Sequence, residues 1–205
     1  MADRKHGVPA PPIETTIHAD DWDRTEIAGE TFHRVLFQGV DLTELVDQGA
    51  SFEECTFRNV RLNVSTHEDA CFLNCLFSRC SLFDATFRGC KLTGSMFDGC
   101  TFGLLKVDGG DWSYTGLPGA DLRGSAFHGV RLREADLTGA RLAGAELRRA
   151  DLSGAWLHGA DLTGCDLRGS DLSTLDPHTV TLKKAVIDPF QATVIAEALG
   201  LEVRS

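Results

Sequence analysis

The chain has 205 residues, with 30 acidic against 20 basic side chains and a formal net charge of −10. That charge argues against direct nucleic-acid binding, which depends on Lys/Arg neutralisation of phosphates, and fits a basic partner or a protein that itself holds DNA. Hydrophobic residues make up 42%, enough for a sizeable core at a length that suits one domain, and no run approaches the ~20 apolar residues of a membrane span.

Residues 1–12 have no apolar signal-peptide core and are expected to form a disordered tail. The protein is therefore expected to be cytoplasmic, with its seven cysteines reduced. Residues 13–23 should begin the first coil of a repeat. From Trp22 the text recurs with a period of five. A large residue stands at Trp22, Ile27, Phe32, Phe37, Leu42 and every fifth position to Ile187, giving 34 units in one phase. Thirty-one of these centres are apolar; the exceptions are Asp47, His67 and Pro177. Two residues before a centre the side chain is mostly small, as at Ala50, Cys55, Cys75, Ala85 and every fifth residue from Ala135 to Ala160. Two residues after it glycine is common, as at Gly39, Gly99 and Gly139, which frees the backbone to turn.

Five is neither a helix period nor a strand period. One large and one small inward position per unit fit a flat face followed by a corner, and stacked coils of such faces bury a continuous column. The text, as in Ala120-Asp121-Leu122 and Ala135-Asp136-Leu137, resembles the pentapeptide-repeat family, A(D/N)LXX, over residues 22–187. The resemblance implies an all-β fold, a right-handed quadrilateral parallel β-helix with four units per coil, spanning residues 13–187.

Stacking the text at that interval sorts the side chains. Phenylalanine ladders run Phe32/Phe52/Phe72 and Phe37/Phe57/Phe77/Phe97. Asp47 and His67 are centres on one face in adjacent coils. Burying both is costly unless they pair, so either they pair or the face bulges and turns them out. The irregular text around them favours the bulge. Six cysteines, Cys55, Cys75, Cys80, Cys90, Cys100 and Cys165, take the small inward slot as core filler, and Cys71 alone should point outward. Parallel stacked thiols do not converge as metal ligands must, so neither metal nor cofactor is expected. Leu36, Leu76, Met96 and Trp156 point outward on the fourth face as a candidate contact strip. Gly103 to Gly119 is irregular and reads as a joint between a Phe-type and a Leu-type half. His158 and His178 read as a solvated ladder. No paired carboxylates, nucleophile elbow or phosphate loop points to an enzyme.

At the C-terminus, residues 188–205 read as a helix and tail. Asp188 is the N-cap, Pro189 the first helical residue and Gly200 the stop. Phe190, Val194, Ile195 and Leu199 line one face at helical spacing, with Ile187 and Leu201 beside them. A plain cap is one reading. The other is a homodimer contact, because the tail is similar to those of the dimeric quinolone-resistance (Qnr-type) and mycobacterial fluoroquinolone-resistance members of the family.

That resemblance also implies a partner. Such members bind DNA gyrase or topoisomerase IV as mimics of duplex DNA, inhibiting the enzyme or protecting it from quinolone-like or peptide poisons. The rival reading is a scaffold module with an unrelated protein partner. Thirty-four units make about 8 coils, or ~40 Å at ~4.8 Å each, close to a DNA turn of ~34–36 Å. DNA of that length carries ~23 charges, so shape and partial charge together would have to do the mimicry. The contact candidates are Asp47, Glu53, Glu54, His67, Glu68, Asp69, Asp108 and Asp111, on two adjacent, net-acidic faces.

Overall fold

A computed structural model describes residues 10–22 and 24–204. Every strand pairs in parallel with the segment twenty residues away, as in Phe37 with Phe57, Phe57 with Phe77 and Phe87 with Val107. The coils are therefore quadrilateral, with one five-residue unit to a side. One side is a ladder from Thr15–His18 through Val35–Gln38, Thr56–Arg58 and Leu76–Ser78 to Met96–Asp98. A second runs from Glu26–Ala28 to Glu146–Arg148, and a third joins Thr31–His33, Ser51–Glu53 and Cys71–Leu73. The remaining side is held by single bridges such as Asp41 to Arg61, Arg61 to Ser81 and Asp121 to Arg141. The result is the expected all-β solenoid, closed by the expected C-terminal helix.

The ladder extends one unit below Trp22. Ile17, five residues earlier and in phase, pairs with Phe37 and packs against the core. Of the expected tail, residues 1–9 lie outside the described residues. Ala10, Pro11 and Pro12 lie beside Leu76 and Met96, lining a groove of about 420 Å³.

The centres form the column that holds the coils together. Phe37, Phe57, Phe77 and Phe97 stack with ring centroids 4.6 to 4.8 Å apart and planes within 9°. The Phe52–Phe72 stack is equally close; Phe52 meets the first ladder edge to face and Phe72 meets it at a tilt. Such geometry adds to area burial. The small slot does more than fill space. The Cys75, Cys80 and Cys90 thiols donate to the carbonyls of Phe52, Phe57 and His67, and Ser95 Oγ donates to Phe72 at 2.7 Å. A small residue with a donor thus ties one coil to the coil below it.

The Gly103–Gly119 stretch is no joint. Its bridges continue in register from Lys91 through Asp111 to Arg131, and Trp112 fills the column, stacked on Phe97 and edge-on to Phe87 and Phe127. Gly110 is obligatory there: its φ is +83°, and a Cβ would lie 2.1 Å from the Cys90 carbonyl oxygen.

The bulge expected at Asp47 and His67 does not form. Both residues sit in regular strands, in register with each other, and both are buried, at 0% and 1% exposure. His67 Nδ1 lies 2.9 Å from Asp47 Oδ2. Pairing removes the need for a bulge, because each group satisfies the other's buried hydrogen-bonding demand.

Candidate protein-binding surface

A solenoid exposes the three residues of each unit that do not face in, so its surface is read in vertical ladders. Of the contact candidates, Asp47 and His67 are withdrawn by their burial: neither side chain reaches the surface. Ser65 Oγ joins them, 3.0 Å from His67 Nε2. The composition matches a nucleophilic triad, but the group is sealed inside the column and no substrate reaches it. Among the described residues no cluster of His, Cys, Asp or Glu is arranged to hold a metal ion.

The other six candidates lie outside, in two groups. Glu68 and Asp69 mark the corner between the second and third sides; Glu53 and Glu54, one coil below, mark the next corner. Asp69 and Glu54 hold left-handed backbone, with φ of 52° and 51°. Glu54 accepts from Arg34 Nε at 2.6 Å and Glu68 from Arg88 Nη1 at 2.9 Å; Glu53 and Asp69 are exposed. Asp108 stands two coils above Glu68, with Arg88 between them in register. Asp111 sits between Lys91 and Arg131. Burial opposes its ionisation, but hydrogen bonds from the Ser113 amide and hydroxyl outweigh that and hold the carboxyl below its usual range. These acids are interleaved with bases and do not make a carboxylate wall.

The acidity is graded along the axis instead. Because coils stack in chain order, position in sequence is height in the rod. Residues 20–70 hold twelve carboxylates and four basic side chains, whereas residues 71–170 hold eleven of each. In the upper coils arginines neutralise their neighbours. Asp121 accepts from both Arg123 and Arg141, and the Arg123 contact holds its carboxyl down to about 2. Asp166, bonded to Arg168 and close to Arg148, is held lower still.

The candidate strip on the fourth face is half-buried. The Met96 thioether lies over Gly116, in the space a Cβ would occupy, and the chain's own Ala10–Pro12 segment adjoins Leu76 and Met96. The helix Pro189–Ala198 seats on the last coil as a cap. Asp188 and Gln191 form a reciprocal capping box, and Gln191 Nε2 donates to the carbonyls of Leu167 and Ser170 at 2.6 and 2.8 Å. Ile187 and Ile195 pack against this chain's own core, and Val194 is half-buried. Phe190, Leu199 and Leu201 face outward, Phe190 at 77% exposure.

Comparison with known proteins agrees with this architecture. The sequence profile described as Pentapeptide repeats matches residues 68–102, 109–139, 117–154 and 135–173, in eight copies. The pentapeptide repeat protein MfpA of Mycobacterium tuberculosis is 41% identical over 51 residues, which is 25% of this chain and 28% of that protein. The chain therefore matches little more than a quarter of that relative's length. A trypsin-treated form of QnrB1, a plasmid-mediated fluoroquinolone resistance protein, superposes with a TM-score of 0.67 at 24% identity, covering 94% of this chain and 97% of that one. Full-length QnrB1 gives 0.64 at 24% identity, covering 93% and 97%. At that identity the likeness is one of fold.

Proposed function

Because the chain belongs to the pentapeptide-repeat family, whose solenoids are non-catalytic, we propose that it works by binding a type II topoisomerase, DNA gyrase or topoisomerase IV, as a mimic of duplex DNA. The observation that carries this reading is a stack of about eight coils, ~40 Å at ~4.8 Å each and so close to one DNA turn, whose net charge is concentrated in its first coils. A basic DNA-binding saddle attracts such an end through long-range electrostatics. The fold likeness to QnrB1, a fluoroquinolone resistance protein, and the local likeness to the pentapeptide repeat protein MfpA support the reading and its link to fluoroquinolones. Seven free thiols suit a reducing, cytoplasmic setting.

The test is a supercoiling assay with purified gyrase, with and without a fluoroquinolone. The protein should slow supercoiling or reduce drug-stabilised cleavage. The effect should weaken as salt rises, since the Debye length is only ~8 Å at physiological ionic strength. If gyrase and topoisomerase IV both ignore the protein, with and without the drug, the reading fails and an unrelated protein partner takes its place.

A homodimer through the C-terminal helix belongs to this proposal. Its supporting observation is the outward apolar set of Phe190, Leu199 and Leu201 on a helix whose other face already caps the coil. An isologous contact there would extend the rod about a two-fold axis.

A further inference from the structure

The corner between the singly bridged side and the second side reads Glu44, Val64, Asp84, Leu104, Gly124, Gly144, Gly164 and Lys184 up the rod, and every one of these residues has positive φ, between 55° and 70°. In three upper coils the position is glycine, which holds this backbone without strain. Elsewhere in the solenoid, non-glycine residues in left-handed backbone are almost all charged or asparagine. Val64 and Leu104 break that rule on one corner. Val64, at φ 59°, is the only β-branched residue among the described residues in this conformation, where a β-branched side chain is a genuine outlier. Neither side chain recovers the strain by burial: Val64 is 45% and Leu104 49% exposed. Phe83, 50% exposed, joins them. Its ring leans over Gly103, with Cδ2 3.1 Å from where a Cβ would stand, and so bridges toward the coil that carries Leu104.

Strained backbone that presents apolar side chains to water marks a site kept for something other than the fold. We infer that Val64, Phe83 and Leu104 form an apolar docking ridge for a protein cleft with an apolar floor and a basic rim. The rim is specified by charge: Glu44 stands one coil below Val64 on the same corner, Asp84 between Val64 and Leu104 is paired with Lys106, and the ridge rises out of the acidic first coils. The inference rests on the topoisomerase reading above and names the contact that supplements its electrostatics. Carboxylates steer the encounter, while a few desolvated apolar anchors set how long the complex lasts.

Glycine substitution separates binding from folding here, because it removes the side chain and relieves the backbone together. Val64→Gly with Leu104→Gly should leave the melting temperature unchanged or raise it, and should raise the concentration needed to act on gyrase about tenfold, the effect of losing an interface anchor of ~1.4 kcal/mol. Phe83→Ser, at an ordinary backbone position, should weaken the effect in the same direction. Loss of potency should persist at high salt, since an apolar contact is not screened. If the unmutated protein acts on gyrase and either variant matches it, the ridge is overturned and the topoisomerase reading stands. A lowered melting temperature in the glycine pair also overturns the ridge, because the side chains would then serve the fold. An unmutated protein that leaves gyrase and topoisomerase IV untouched overturns both readings together.

Discussion

His67 Nδ1 lies 2.9 Å from Asp47 Oδ2 in a core whose large side chains are mostly phenylalanine and leucine. The surrounding bonds assign the protons. Ser65 Oγ, 2.8 Å from the Leu62 carbonyl, donates its proton there, so His67 Nε2 donates to Ser65 Oγ. Asp47 Oδ1 accepts from the Ala50 amide at 3.0 Å. Nδ1 and Oδ2 then need a proton between them, and the pair is neutral as a unit. His67 also stacks on Phe87 at 4.7 Å and so continues the aromatic column.

Removing one partner should therefore cost far more than removing both. His67→Ala or Asp47→Ala leaves a buried polar group without its partner and should lower stability by about 3–5 kcal/mol. Asp47→Leu combined with His67→Phe should cost less than either single change, because apolar groups of similar volume often replace a buried pair at little cost, leaving mainly the Ala50 amide without its acceptor. Urea unfolding of the three variants decides it. Single variants within 1 kcal/mol of the parent, a value set against the ~3–5 kcal/mol expected, would show that the pair is not coupled.

Thiol reactivity should sort by position. Cys71 is partly exposed on a strand surface, and Cys100 partly exposed beside Gly99 and Gly103; the other five are buried. Burial pushes the thiols of Cys90 and Cys165 up to about 12. In the native protein Cys71 should react first, and slowly at neutral pH, since burial raises its pKa too and the thiolate is the nucleophile. Cys100 should come second, and the remaining five only after unfolding. Rapid modification of six thiols would refute the inward assignment.

Acid should destabilise the rod below pH 4. Hydrogen bonds from Arg61 and Arg123 hold the carboxyls of Asp41 and Asp121 down to about 2, whereas an unfolded Asp titrates near ~3.9. The folded values are the lower ones, so the stabilisation is complete above the unfolded value and is lost as pH falls through the folded one. Melting temperature should decline between about pH 4 and pH 2. Asp121→Asn should flatten part of that decline; an unchanged pH profile in this variant would remove Asp121 from the account.

Reversing Glu53, Glu54, Glu68 and Asp69 to lysine should abolish action on gyrase while the coils stay folded. None of the four faces the core; the Arg88 pair that would be lost is exposed and worth at most about 1 kcal/mol, and the Arg34 pair is part-buried but lies outside the core. Circular dichroism and the supercoiling assay, run side by side, report the two halves of the prediction. Full potency in the quadruple variant would place the contact elsewhere on the rod.

Assembly should be separable from capping. Phe190→Asp with Leu199→Asp leaves Gln191 on the Leu167 and Ser170 carbonyls and should give a folded monomer where the parent is a dimer by light scattering. Truncation before Asp188 should instead lower the melting temperature, because it bares those carbonyls. A parent that is monomeric at tens of micromolar rejects the dimer.

The five-residue phase determined nearly everything regular about this protein: the coil, the inward slots of Phe57 and Cys75, the outward slots of Glu53 and Asp69, and the point near Pro189 where the coils give way to a helix. The reason is that a solenoid repeats one local rule, so neighbours in space are a fixed interval apart in sequence. The phase even contained Ile17, a unit earlier than Trp22. The tertiary structure decided what that rule leaves free. Whether Asp47 and His67 bulged or paired depended on a side-chain distance between coils, and periodicity carries no distances. That Ile195 meets its own core depended on how the helix lay across the last coil, where Gln191 holds two carbonyls that no local pattern specifies. Val64 and Leu104 were visible as letters, but their strain was not, because φ at a corner is set by the coils above and below it.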